Sequence, residues 1–399
     1  MIYPANFEEK IGFDRIREQV TALCSTPSAK AKLAEEGFST SADEIERRLS
    51  LMNEMRSLLM LERDFPDGGY PDPAPLVAKI RVEGSYLLAA EADQLRKALV
   101  TVGAIAEFIL GRGGARYPRL WELSRRVTLF PEIVRAIDAI LDDRGEVKDS
   151  ASPELQQVRR AIREREGQAA KRLQQVLQRA KQAGIVDADA VLSVRDGRPV
   201  IPVAAANKRK LQGFIHDESA TGRTFYVEPV EVVEINNELK ELEYAERREV
   251  VKVLSAFTES IRPDAEAIAD AGDYLSSVDM IRAKARWALA NDAGKPILST
   301  DDRLELRTAR HPLLQQTLRA QGREVVPLDL ALDRRKHILV ISGPNAGGKS
   351  VCLKTTGLMQ YLFQCGYPVP ASEVSELPVF RSIFIDIGDE QSIDDDLST

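Results

Sequence analysis

Residues Gly343-Pro344-Asn345-Ala346-Gly347-Gly348-Lys349-Ser350 follow the pattern G-x-x-x-x-G-K-S, which belongs to loops that cradle phosphate. The glycines let successive backbone N–H groups turn toward one anion, and a helix opening at Lys349 adds the positive end of its dipole there. Lys349 is then placed to reach the β- and γ-phosphates of a nucleotide, and the Ser350 hydroxyl to complete the shell of a Mg²⁺ ion. The competing reading is a glycine-rich turn that merely caps a buried strand. Two elements must position the loop. The apolar run within Lys336–Ser342 predicts a buried strand ahead of it, and the helical spacing from Val351 to Cys365 predicts a helix behind it.

No second constellation of this kind is present. His216 beside Asp217 could pair a general base with its orienter, but neighbours at a strand end point apart and no nucleophile or metal set accompanies them. A loop-capping role is the reading adopted. The three cysteines, Cys24, Cys352 and Cys365, have neither paired nor metal-ligand spacing, which fits free thiols in a reducing compartment. The first residues lack a basic stretch and an apolar core, and 18 consecutive apolar residues occur nowhere. A cytoplasmic protein without a membrane span is expected.

At 399 residues, 44% hydrophobic and 29% charged, the chain exceeds a single core. Phe13 to Cys24, Ala42 to Glu62 and Leu87 to Leu110 carry apolar residues three and four apart, hence helices, with Ser41 and Asp43 as capping candidates for the second. Asp149-Ser150-Ala151-Ser152-Pro153 then caps a long helix on which Leu155, Ile162, Ala169, Val176 and Ala183 recur every seven residues. Val232, Ile235, Leu239, Leu242, Val253 and Ala256 suggest its antiparallel sister. Between them the period falls to 2. Val191–Arg195 and Arg198–Val203 flank the turn dipeptide Asp196-Gly197, and Leu211–Ile215 and Thr224–Val227 supply further strands.

The domain reading is therefore a helical core over 1–150, an outgoing lever helix over 151–186 and a β-rich clamp-like tip over 187–230. A returning lever helix with core helices over 231–296 and an α/β P-loop ATPase domain over 297–399 complete it, with a final apolar strand at Ser382–Ile385.

Charge is unevenly distributed. Residues 155 to 210 hold thirteen basic side chains against five acids, or +8, which leaves −15 for the rest of a chain whose net charge is −7. A basic limb on an acidic body is the footprint of a polyanion-binding protein, and Arg159, Arg160, Arg163, Lys208, Arg209 and Lys210 are the expected contacts. A solvated helix face is the plainer alternative.

Several stretches together resemble the MutS family. Ala309-Arg310-His311-Pro312-Leu313-Leu314, the loop at 343–350, and Ile387-Gly388-Asp389-Glu390-Gln391-Ser392 with Leu397-Ser398-Thr399 are similar to its ATPase domain. Arg195 to Val203, His216 to Gly222, Glu228-Pro229 and Glu234-Ile235-Asn236-Asn237 resemble the bacterial paralogue branch that suppresses recombination and rescues stalled ribosomes. The mismatch-reading module of the true mismatch sensor is not seen ahead of the helices.

The resemblance implies an ATPase with ATP or ADP and Mg²⁺ as cofactors, and a homodimer gripping branched DNA or ribosomal RNA. It places Asn345 near the γ-phosphate and Val325 and Val326 against adenine, without the aromatic some members use. Leu328 stands where an asparagine is often found. Ser398 matches the serine that reaches the nucleotide of the opposite subunit. By the same resemblance Ile383-Phe384-Ile385-Asp386 with Asp389-Glu390 is not the Walker B strand. The chain then reads as an N-terminal fragment ending before Walker B, the switch histidine and a nuclease-like module, with no catalytic residue within it. The rival expectation is a structural coiled-coil ATPase whose arms bind protein.

Overall fold

The computed structural model describes residues 1–195, 197–343 and 348–387. In chain order the first elements are β1 (Ile2–Tyr3), α1 (Phe7–Ile11), α2 (Phe13–Leu23), α3 (Pro27–Glu35), α4 (Ala42–Leu61), α5 (Ala74–Ile80), α6 (Ala89–Gly111) and α7 (Pro118–Ser124). Next come α8 (Pro131–Ile140), α9 (Pro153–Gln182), β2 (Ser193–Arg195), β3 (Arg198–Ala204), β4 (Gly213–Glu218), β5 (Thr224–Pro229) and α10 (Val230–Ile261). The last are α11 (Ala265–Ala290), β6 (Ile297–Leu298), β7 (Leu304–Ala309), α12 (Pro312–Ala320), β8 (Leu328–Leu332), α13 (Lys349–Gln364), β9 (Glu376–Leu377) and β10 (Ile383–Phe384). They form two compact units, one of 1–81, 94–131 and 264 onward, the other of 82–93 and 132–263.

In the first unit α11 is the central helix. It is apolar nearly all round, with Ala271, Leu275 and Val278 facing α4, α6 and α7, and Ala283, Trp287 and Ala288 facing α2, α3 and the strands. Three of its charged residues, Asp279, Arg282 and Lys284, are buried too. Asp279 accepts from Ser25 N, Thr26 N and Thr26 Oγ1 at 2.8, 2.8 and 3.0 Å and from Arg282 Nη2 at 2.7 Å. The turn at 25–26 is thereby pinned to α11, and the Thr26 hydroxyl also caps α3.

β6, β9, β7 and β8 pair in that order, β6 parallel to β9 and the others antiparallel. The apolar run at 337–341, expected as a buried strand, forms none. Ile338 and Val340 are 75% and 83% exposed. A strand persists only where a neighbour completes its ladder, and among the described residues nothing pairs with this run. The strand expected at Ser382–Ile385 does form as β10, but its partner lies at the opposite end of the chain. β1 runs parallel to it with Ile2 opposite Ile383. Lys10 Nζ adds a bond to Ile387 O at 2.8 Å.

The second unit contains the two long helices and a β2-β3-β5-β4 sheet. α9 starts where Ser152 Oγ accepts from Leu155 N and Pro153 fills the first turn. Ion pairs Arg159–Glu246 and Arg165–Glu238 show that α9 and α10 run antiparallel side by side. Leu155, Ala169 and Val176 are buried as the seven-residue spacing requires, whereas Ile162 is half-buried and Ala183 exposed. On α10 the buried face is Leu254, Phe257 and Ile261 rather than Val253 and Ala256. The polar stretch around Glu246 and Glu249 breaks the repeat, and the phase does not carry across it. The expected 1–150 core also divides, since residues 132–150 group with the long helices.

Candidate nucleotide and nucleic-acid sites

α13 opens at Lys349, with Gly348 before it in the left-handed conformation (φ 77°) that favours glycine. Lys349 Nζ donates to Gly343 O at 2.5 Å, so the ammonium bridges the two described ends of the loop. Pro344, Asn345, Ala346 and Gly347 lie outside the described residues, as do Ser398, Asp389 and Glu390. Val325 is half-buried and Val326 89% exposed, just ahead of β8.

The far end of α13 is firmly seated. Leu358, Leu362 and Phe363 are fully buried, and Tyr361 packs on Phe7 and Phe13 at 5.1 and 4.8 Å between centroids while its hydroxyl donates to Glu8. Two buried glutamines that helical periodicity gave no reason to single out complete the seat. Gln360 donates to Pro378 O, and Gln364 donates to Ser39 O and Phe380 O. A helix whose C-terminal half is fixed holds its N-terminal amides in a constant direction, which suits an anion site.

His311 lies buried at the start of α12, with neither ring nitrogen in a well-formed hydrogen bond. Burial drives its pKa down to about 4, helped by Lys354 and Arg15 and opposed by the backbone of Ile11. Above pH ~6.5 the imidazole is neutral both folded and unfolded. Below it the unfolded chain takes up a proton that the folded chain refuses, so stability falls as pH drops from about 6.5 to about 4. The loss expected over that window is about 3 kcal/mol. Urea midpoints across the window check it: His311→Gln should flatten the slope, and identical slopes would refute it.

In the second unit the tip is built around Glu228. This carboxylate, 1% exposed, accepts from Arg198 Nη1 at 2.9 and 3.0 Å, Asn236 Nδ2 at 2.6 Å and His216 Nε2 at 2.5 Å. His216 is thus a strand residue tied to a buried acid, not a loop cap. An irregularity between Ile215 and Asp217 shifts the register there, which adjacent-residue logic cannot anticipate.

The basic limb is only partly neutralised at its base, where Arg160 is exposed with no ion pair among the described residues. Arg159 is held by Asp149 and Glu246, Arg163 by Asp149 and Arg165 by Glu238. Further along, Lys171, Arg172, Arg179, Arg209 and Lys210 are exposed and have no ion pair among the described residues. Arg172 and Arg179 alternate with Gln168, Gln175 and Gln182 at steps of four and three, so they lie along one face of α9. Lys208 instead lies over the Phe225 ring.

The family model for MutS domain V matches residues 339–399. Over 389 residues, 97% of this chain, the sequence is 34% identical to the Endonuclease MutS2 of Bacillus velezensis, covering 48% of that protein. The Endonuclease MutS2 of Thermomicrobium roseum is 36% identical over 400 residues, 97% of this chain and 49% of that protein. The chain belongs to the MutS family. Its relatives place it on the MutS2 branch, to which the Putative endonuclease MutS2 of Bacillus subtilis, 34% identical over 97% of this chain and 48% of that protein, also belongs. The chain spans about half the length of the curated relatives it matches. Among the described residues no helix is long and apolar enough to cross a membrane.

Proposed function

We propose that this chain is the nucleotide-binding and nucleic-acid-gripping part of an ATP-controlled MutS-type clamp. The observation that carries the nucleic-acid half is that Arg159, Arg163 and Arg165 of the paired helices are held by acids, whereas Lys171, Arg172 and Arg179 further along α9 are exposed without an ion pair among the described residues. A purely structural arm would gain from pairing these as well, whereas cations left in water are available to phosphates.

The nucleotide half rests on the family and on the loop's two ends. Gly348, the first-turn amides of α13, Lys349 and Ser350 form a donor set suited to phosphate oxygens, with Ser350 also a ligand for Mg²⁺. Bound ATP with Mg²⁺ would supply binding energy that favours one arrangement of the protein over another. Asn345 near the γ-phosphate, Val325 and Val326 against adenine, and Ser398 reaching a second subunit of a homodimer extend the same reading. The α9–α10 pair acts as the lever, and branched DNA or ribosomal RNA is the partner.

The test compares two variant sets for DNA and RNA binding across a salt series. Changing Arg172, Arg179, Arg209 and Lys210 to Gln should weaken binding and reduce the salt slope by about 3 to 4, one phosphate contact each. Arg159→Gln with Arg163→Gln should leave the slope alone, because those guanidiniums already have carboxylate partners. A salt-insensitive interaction in the unmodified chain would favour a protein partner and overturn the clamp reading.

A further inference from the structure

The β2-β3-β5-β4 sheet has two unlike faces. Ile201, Val203 and Val227 point into the core formed with Leu173, Val176 and Leu177 of α9. Register places Phe214 opposite Glu228, and Tyr226 two residues from Glu228, so both rings belong to the other face. There Phe214 is 59% exposed, and Arg195 lies over Tyr226 with its guanidinium carbon 3.8 Å from the ring centroid. At one end of the sheet, Ala205 N bonds Arg223 O at 2.9 Å, which brings the turn bearing Arg223 beside the loop bearing Arg209 and Lys210. None of these three cations has an ion pair among the described residues. Of the acids on β4, Asp217 is neutralised by Arg195 at 2.9 Å, leaving Glu218 as the exposed counter-charge.

We propose that this face holds unpaired nucleotides, with bases stacking on Phe214 and on the Arg195–Tyr226 pair while Arg209, Lys210 and Arg223 take the phosphates. The inference rests on the nucleic-acid reading above and narrows it from any polyanion to single-stranded segments. Duplex binding needs only the cations, because base faces are hidden within the stack. An open aromatic ring and a flat guanidinium beside a basic rim are what an unstacked base can use. Thr224 at the basic end and Glu228 opposite Phe214 lie four residues apart along β5, so charge and the Phe214 ring are separated by about 13 Å, with Tyr226 midway.

The experiment uses the full chain at one fixed salt concentration. Binding of labelled oligo(dT), oligo(rU) and a duplex of equal length is followed by anisotropy for the unmodified protein, Phe214→Ala and Phe214→Trp. Phe214 is largely in solvent, so its replacement leaves the fold intact. The alanine variant should bind the single strands about tenfold more weakly and the duplex unchanged. The tryptophan variant should regain affinity, and its indole should be quenched on binding, read against the background of Trp121 and Trp287. A loss on one single strand alone upholds the site and identifies which of the two nucleotides, deoxythymidine or uridine, it accepts. Equal loss on the duplex, no loss on either strand, or an unquenched indole overturns it, as does Phe214 capturing a protein strand along the β4 edge instead. If the unmodified chain binds no nucleic acid, the clamp reading falls with it; if it binds duplex while Phe214 is immaterial, only this inference falls.

Discussion

Asp279→Ala is expected to destabilise the first unit by about 3–5 kcal/mol, because it removes one partner of a buried ion pair and leaves the other charge uncompensated. Arg282 is 1% exposed, and its remaining neighbours are weaker: Asp67 Oδ1 at 3.2 Å, the Ser25 hydroxyl and the face of Tyr70 at 4.3 Å. Its Nε already lacks a partner. The same substitution strips acceptors from Ser25 N, Thr26 N and the Thr26 hydroxyl, so the turn into α3 loosens together with α11. Asp279→Asn retains the shape and one acceptor oxygen, so it should cost less. Urea unfolding followed by the fluorescence of Trp287, buried further along α11, measures both. A loss below about 1 kcal/mol for the alanine variant would show that the network contributes little beyond packing.

Glu228→Ala should act as locally on the second unit, at about 3 kcal/mol. The lower end of the range applies because Arg198 and His216 keep 25% and 22% of their side chains in solvent and can rehydrate. Burial raises the Glu228 pKa, but the hydrogen bonds from Asn236, His216 and Arg198 outweigh it and hold the carboxyl below its usual range. The stabilisation is therefore complete above the unfolded carboxylate pKa and disappears as pH falls through the lower, folded one. Hydrogen exchange should report lost protection along β3, β5 and the first turns of α10, with α11 unchanged. Uniform loss across both units would mean that the two unfold as one.

Legibility in the sequence follows the distance over which each feature is decided. Ser41 and Ser152 cap their helices as expected, since a cap depends on a residue three positions away. The hairpin pairs Arg195 with Arg198 as its turn dipeptide implies, although Asp196 itself lies outside the described residues. Features decided remotely were not legible. The neutralisation of Arg159 depends on Glu246, and the strand at β10, itself expected, takes its partner from Ile2 and Tyr3 among the first residues of the chain, which nothing local could indicate. The run at 337–341 has strand composition, yet composition cannot supply the neighbour a strand needs. The start of α13 at Lys349 was legible for the opposite reason: it is set by the residues at 348–350 whatever precedes them.

The two long helices are joined unevenly, and this has a mechanical consequence. Between Asn236 and Leu254 no residue of α10 is buried, and the span facing α9 carries the Arg159–Glu246 and Arg165–Glu238 pairs in place of an apolar seam. Half-exposed ion pairs tolerate sliding at a cost of about 1 kcal/mol or less and weaken with salt, whereas interlocked apolar side chains resist it. Each helix stays stiff along its own length, but relative shear should concentrate in this middle span. Bending there would swing the tip while leaving its sheet, and the Glu228 cluster that ties the sheet to the start of α10, undistorted. Raising ionic strength should soften that span before either end.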